Sequence, residues 1–150
     1  MNEAHPAVPT HNKGRKMINA RFAVSVLAMF VLSMAFDFVI HGVLLHGDYE
    51  KLPNLMRSEA AAQQLFGFML LAHLLIAAGF SWIYIKGKES RPWLGQGFRY
   101  GVAVAVMMTI PIYLIYYVVM PYPSDVVAQQ IAYGTMAIVV MGIVLAWINR

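Results

Sequence analysis

The chain has no cysteine, which removes disulfides, zinc–thiolate clusters, iron–sulfur ligation and thiol nucleophiles from consideration. Charge is scarce as well. Only 12% of its 150 residues are Asp, Glu, Lys or Arg, against 60% hydrophobic, too few to give a soluble domain a polar shell. No H-E-x-x-H, Gly-rich phosphate loop or paired carboxylates occur, and no Ser or Thr has an evident base beside it, so no catalytic residue and no enzyme is expected. Basic residues collect at the ends of apolar runs and not along an exposed face with interleaved aromatics, which sets nucleic acid aside as a partner.

What the chain does have is four long apolar runs. A hydrocarbon layer about 30 Å thick needs roughly 20 residues of helix, with all backbone hydrogen bonds closed within the segment. The runs at about 22–45, 65–85, 98–120 and 126–148 meet that length, which predicts an all-α polytopic membrane protein with the lipid bilayer as its first partner. Gly47-Asp48, Lys86-Gly87-Lys88 and Pro121-Tyr122-Pro123 are the expected stops, and Ser58-Glu59 and Ser124-Asp125 the expected starts. Residues 1–21 read as a flexible basic tail in which His5 and His11 are solvated, and 22–150 as a four-helix transmembrane bundle. A cleavable signal peptide ending at Ser33-Met34-Ala35 is the rival for the first run, but the apolar stretch continues to Leu45, too far for a signal core.

Orientation follows the basic residues. Lys13, Arg15, Lys16 and Arg21 precede the first span, Lys86, Lys88, Arg91 and Arg99 lie around the second connection, and Arg150 ends the chain; only Lys51 and Arg57 lie elsewhere. The bias predicts two antiparallel hairpins with both termini cytoplasmic, anchored at that interface by Trp82, Trp93 and Trp147.

Small residues mark where helices approach closely in lipid. Gly97, Gly101 and Ala105, continued by Thr109 and Tyr113, form a ridge of period four expected to face a neighbour, with smaller patches at Ala77-Ala78-Gly79 and at Gly142 and Ala146. Pro111 predicts a kink in the third span. The tetrads Ala62-Gln63-Gln64-Leu65 and Ala128-Gln129-Gln130-Ile131 are a faint internal echo, with little else shared between the halves.

The only acid inside an apolar run is Asp37. A charge there costs at least about 2.5 kcal/mol, which makes it a functional candidate. Ser33, Asp37 and His41 share one side of the first helix, and residue counting at about 1.5 Å per residue brings His73 on the second to a similar depth. Tyr113 and Tyr133 fall nearby on the third and fourth helices, which predicts a polar cluster of Asp37, His41, His73, Tyr113 and Tyr133. His41 and His73 differ by about 10 Å in height, wrong for the axial pair of a haem, and three ligands at uneven depth make a poor metal site, so no metal or cofactor is expected.

The segments Phe38-Val39-Ile40-His41-Gly42-Val43-Leu44-Leu45, Gly97-Phe98-Arg99-Tyr100-Gly101 and Pro111-Ile112-Tyr113-Leu114-Ile115-Tyr116-Tyr117 resemble those of a group of small bacterial four-helix integral membrane proteins with no assigned activity. The resemblance covers residues 22–150 and implies a multi-pass location in the bacterial inner membrane, without a mechanism. The small multidrug transporters also carry one acid in the first of four helices, but theirs is a glutamate in a shorter chain. Two functions are expected from the residues. The favoured one is a non-enzymatic helper that packs laterally, through its small-residue seams, against a larger membrane complex or itself. The alternative is a proton-coupled carrier or sensor of a small solute using Asp37 and His73.

Overall fold

The computed structural model describes residues 11–53 and 55–150. Among them the chain is all helix: α1 (His11–Asp37) runs into a π-helical segment (Phe38–Leu44), then come α2 (His46–Tyr49), α3 (Glu59–Gln64), α4 (Phe66–Gly87), α5 (Trp93–Val104), a second π-helical segment (Ala105–Thr109), α6 (Ile110–Val119) and α7 (Ser124–Ile148). Four stretches are long and apolar enough to cross a membrane: Ala20–Leu44, Phe66–Gly87, Trp93–Val119 and Ser124–Ile148. They are spans 1 to 4 below.

Several boundaries differ from expectation for local reasons. Helix begins at His11, so the later half of the expected tail is helical; nothing between His11 and Phe22 except Gly14 opposes it, and the first ten residues, His5 among them, lie outside the described part. Span 1 ends at Leu45 (φ −99°, ψ 0°), and Gly47-Asp48 sit inside the short helix α2, where Asp48 is in the favourable first turn. Ser58 caps α3 by accepting from the Ala61 amide at 3.4 Å, but α3 is separated from span 2 by a turn at Leu65, so this cap starts a preceding helix. At the fourth span Pro123 takes the cap position and Ser124 is already helical.

Pro111 acts differently from a simple kink. It lacks an N–H and its ring crowds the carbonyl four residues back. The turn before it, Ala105–Thr109, widens into π geometry, and regular α-helix resumes at Ile110 with Pro111 in the first turn of α6, where a missing donor is tolerated.

Span 3 packs mainly on span 4, and span 1 on spans 2 and 4. The ridge on span 3 meets span 4 along its length. A Cβ on Gly97 would lie 2.7 Å from the Gly142 carbonyl oxygen, one on Gly101 2.6 Å from Val139 Cα, and one on Gly134 2.8 Å from Thr109 Cγ2. Ala105 is fully buried. Such approach lets backbones touch where van der Waals packing, and not exclusion of water, holds helices together. On span 2 the buried face is His73, Ala77, Phe80, Ser81 and Tyr84, spaced as one side of a helix, whereas nothing crowds Gly79.

One end of the bundle is cross-linked by Asn149, whose amide donates to Ser25 Oγ (2.9 Å) and whose carbonyl accepts from Lys88. Tyr100 donates to the Phe80 carbonyl at the same end of spans 2 and 3 (2.6 Å) and stacks obliquely on Phe80. At the other end Gln130 donates to the Tyr49 hydroxyl (2.9 Å) and Tyr122 reaches Met56 (3.8 Å).

Candidate functional site

Span 1 supplies the first half of the site. Ser33 and Asp37 lie on α1, four residues apart on one side. The helix then widens into the π-helical turn Phe38–Leu44, which carries His41 still facing Asp37, with its Nε2 3.9 Å from Asp37 Oδ1. Wide turns of this kind recur at functional sites because they re-aim side chains at little cost in length. Span 2 brings His73, a buried residue whose Nε2 stands 3.8 Å from the other oxygen, Oδ2. One carboxylate thus lies between two imidazoles.

The hydrogen-bond partners assign one tautomer to each ring. Ser33 has a single hydroxyl proton and donates it to the Phe30 carbonyl (3.0 Å), so its oxygen can only accept from His73 Nδ1 (3.1 Å). A neutral His73 protonated at Nδ1 turns an Nε2 lone pair toward Asp37.

On the other side, Tyr49 accepts from the Gln130 side-chain amide and donates to His41 Nδ1 (2.6 Å), with its ring stacked on the imidazole. Burial pushes the Tyr49 hydroxyl above the ordinary tyrosine range, which keeps it a donor. His41 is then protonated at Nε2, the nitrogen that faces Tyr113 Oη (3.3 Å) and Asp37. Asp37 keeps 38% of its side chain open while His73 keeps 10%, so the cluster is approached from the carboxylate side.

Of the five residues expected to meet, Asp37, His41, His73 and Tyr113 do. Tyr133 packs instead on the small core of Ile40, Leu45 and Ala137. The residue that span 4 gives to the network is Gln130, one turn earlier and buried. In the sequence Gln130 stands out only within the tetrad Ala128-Gln129-Gln130-Ile131, and no periodicity connects Tyr49, at the end of α2, to His41. Among the described residues no three His, Asp or Glu side chains stand close enough to hold a metal ion.

Tyr113 is also one of the residues lining an apolar cleft of about 500 Å³ between spans 2 and 3, with Leu75, Phe80, Val104, Met108 and Ile112 among others. No protein-family model, curated protein or solved structure matches the chain.

Proposed function

We propose that this chain is a multi-pass protein of a cell membrane, built as two antiparallel hairpins with both termini cytoplasmic, that acts as a proton-coupled carrier or sensor of a small solute. Asp37 and His73 are the proton-exchanging pair. The observation that carries the reading is the Asp37 carboxylate between two imidazoles, one of them locked by Ser33 with its free nitrogen toward the acid.

The topology is supported by the cross-links. Asn149 ties the start of span 1 and the end of span 2 to the end of span 4, and Tyr49 with Gln130 ties the first and third connections together at the opposite end. The end that holds Lys88, Arg91 and Arg150 is the basic one, which the positive-inside bias assigns to the cytoplasm.

At the depth of Asp37 the carboxylate needs a compensating neighbour. A lone acid at membrane depth costs at least about 2.5 kcal/mol. Attraction to a protonated imidazole just under 4 Å away returns about 4 kcal/mol at an effective dielectric near 20. A cleft of the observed size is right for a small ligand, and its apolar lining selects a largely apolar one.

Of the small-residue seams that the lateral-helper reading would use, the patch at Gly79 is uncrowded and the ridge on span 3 is not. Gly97, Gly101 and Ala105 are covered by span 4 of the same chain, which leaves them no outside partner to contact. Proteoliposomes with a pH dye inside, given a small-molecule extract of the expressing cells outside, distinguish the two. Proton movement that depends on the extract and is lost in Asp37→Asn is the expected result; no such movement, with a larger membrane protein co-purifying at fixed ratio, would replace this reading by the helper.

A further inference from the structure

Spans 1 and 2 run antiparallel, and their buried faces meet in one register. Ser33 accepts from His73, and one turn closer to the basic end Met29 and Ala77 share a buried cluster. A further turn on each helix sets Ser25 on span 1 level with Ser81 on span 2, about 12 Å below Ser33 at about 1.5 Å per residue. Asn149 fixes the same alignment, since it bonds both to Ser25 and to Lys88 at the end of span 2. All six seam residues are buried. The seam is therefore polar at Ser33 and His73, apolar at Met29 and Ala77, and polar again at Ser25 and Ser81.

The inner polar level holds an unexplained group. Ser81 has no exposed area, and its hydroxyl has no partner among the described residues. A helical serine ordinarily bonds a carbonyl of its own preceding turn, as Ser33 does with Phe30, and a buried hydroxyl left unpaired is costly. Beside this level Asn149, itself buried, donates to Ser25 at 2.9 Å and accepts from Lys88 through its carbonyl, so polar contacts continue to the basic surface. In the other direction they continue from Ser33 through His73, Asp37 and His41 to Tyr49, at separations of 3.1, 3.8, 3.9 and 2.6 Å. Only the level of Met29 and Ala77 interrupts the series.

We propose that Ser81, Ser25 and Asn149 form the cytoplasmic half of a proton path whose outer half is the Asp37 cluster, with Met29 as the gate between the halves. The inference rests on the reading of Asp37 and His73 as a proton-exchanging pair. The gate is closed in this structure: the Ser33 hydroxyl hydrogen is committed to the Phe30 carbonyl, and the next level offers only a thioether and a methyl group, which disfavour a charge. Methionine suits a gate because its unbranched chain has three rotatable bonds, and Ala77 opposite it is small. With Met29 swung aside, water enters between the two polar levels, where hydroxyls can hold it. His73 then gains a proton at Nε2 from the Asp37 side and gives one up at Nδ1 to Ser33. Ser33 passes its own hydroxyl hydrogen to the water, which hands a proton on by way of Ser81 toward the basic surface. Only N–H and O–H bonds form and break, every group keeps its number of hydrogens, and a ring flip returns His73 to its first tautomer.

The test uses the full chain in proteoliposomes with a pH dye inside, a potassium gradient with valinomycin to drive protons, and no solute. The expected result is a wild type as proton-tight as protein-free vesicles, a leak about tenfold faster in Met29→Ser, and a tight Met29→Leu. The leak should vanish when Asp37→Asn is added to Met29→Ser and fall at least about threefold when Ser81→Ala is added. Ala77→Ser puts one hydroxyl at the same level without removing packing, so it carries the test if Met29→Ser does not fold. A leaky wild type, a leak that survives Asp37→Asn or is untouched by Ser81→Ala, or tight vesicles with every folded serine variant overturns the inference. Solute-driven proton movement in the wild type alongside tight serine variants would leave the carrier reading standing and remove only the inner half-path. An Asp37-dependent leak without any solute-driven movement would uphold the path and remove the carrier.

Discussion

Replacing Gly101 with alanine probes the contact between spans 3 and 4 directly. The added Cβ would lie 2.6 Å from Val139 Cα, 3.0 Å from the Ile138 carbonyl oxygen and 3.2 Å from that of Val139. Carbon pairs rest at about 3.5–4.0 Å, so the helices must part by about 1 Å, and the obstacle is backbone, which cannot swing aside. Overpacking of this kind costs about 1–3 kcal/mol, and the better helix propensity of alanine returns at most about 1. With backbone as the obstacle the upper range applies, and the net loss is about 2 kcal/mol, a roughly thirtyfold fall in the folded-to-unfolded ratio. Gly79→Ala is the internal control, since nothing lies within 4 Å of its added Cβ; it should be neutral or up to about 1 kcal/mol stabilising. Unfolding in mixed micelles with rising dodecyl sulfate, followed by tryptophan fluorescence, measures both. Gly142→Ala should behave as Gly101→Ala does, and the double variant should lose less than the sum, because helices already parted by one methyl admit the next. If Gly101→Ala matches Gly79→Ala, spans 3 and 4 do not meet as described.

Other expectations follow from the polar network. Ser33→Ala leaves the His73 Nδ1 hydrogen without an acceptor in a buried position and should cost about 1–3 kcal/mol in the same unfolding assay; a neutral result would mean that His73 finds another partner. Tyr49→Phe removes the donor to His41 Nδ1 and the acceptor for Gln130, so the ¹⁵N shift of His41 should move while that of His73 stays, and an unmoved His41 would contradict the assigned tautomer. Outside the membrane, the Lys51 hydrogen bond at 2.8 Å holds the Asp48 carboxyl below its ordinary 3.8. A depressed acid stabilises the fold above its unfolded pKa, and this is lost as pH falls through the lower folded value. Lys51→Gln should raise the Asp48 midpoint toward 3.8 in a carboxyl ¹³C titration; no change would remove Lys51 as the cause.

Length and composition alone were enough for four apolar helices, because a run of some 20 uncharged residues has few other places to go. The inner face of each helix was a harder question. In water an apolar stripe marks the buried side, but in lipid the outer face is as apolar as the inner, so only small and polar residues carry the information. That is why Gly97, Gly101 and Ala105 could be read as a contact ridge, and Ser33, Asp37 and His41 as a stripe, while Leu75 or Met107 could not be placed. Sequence could say that the ridge needs a partner; it could not say that the partner is span 4 of the same chain.

Four of the five expected cluster residues, Asp37, His41, His73 and Tyr113, were legible because depth along a helix can be counted. Rotation about the helix axis cannot be counted across a π-helical turn, and the widened turn at Phe38–Leu44 aims His41 at both Asp37 and Tyr49. Nor does counting reach across chain segments: Tyr49 enters from the short helix α2, and Gln130 reaches it from span 4. The sequence by itself determined the solvent, the number of spans and the one acid among them. Tertiary structure alone brought His73 beside that acid, since side chains tens of positions apart come within 4 Å of each other only when helices pack.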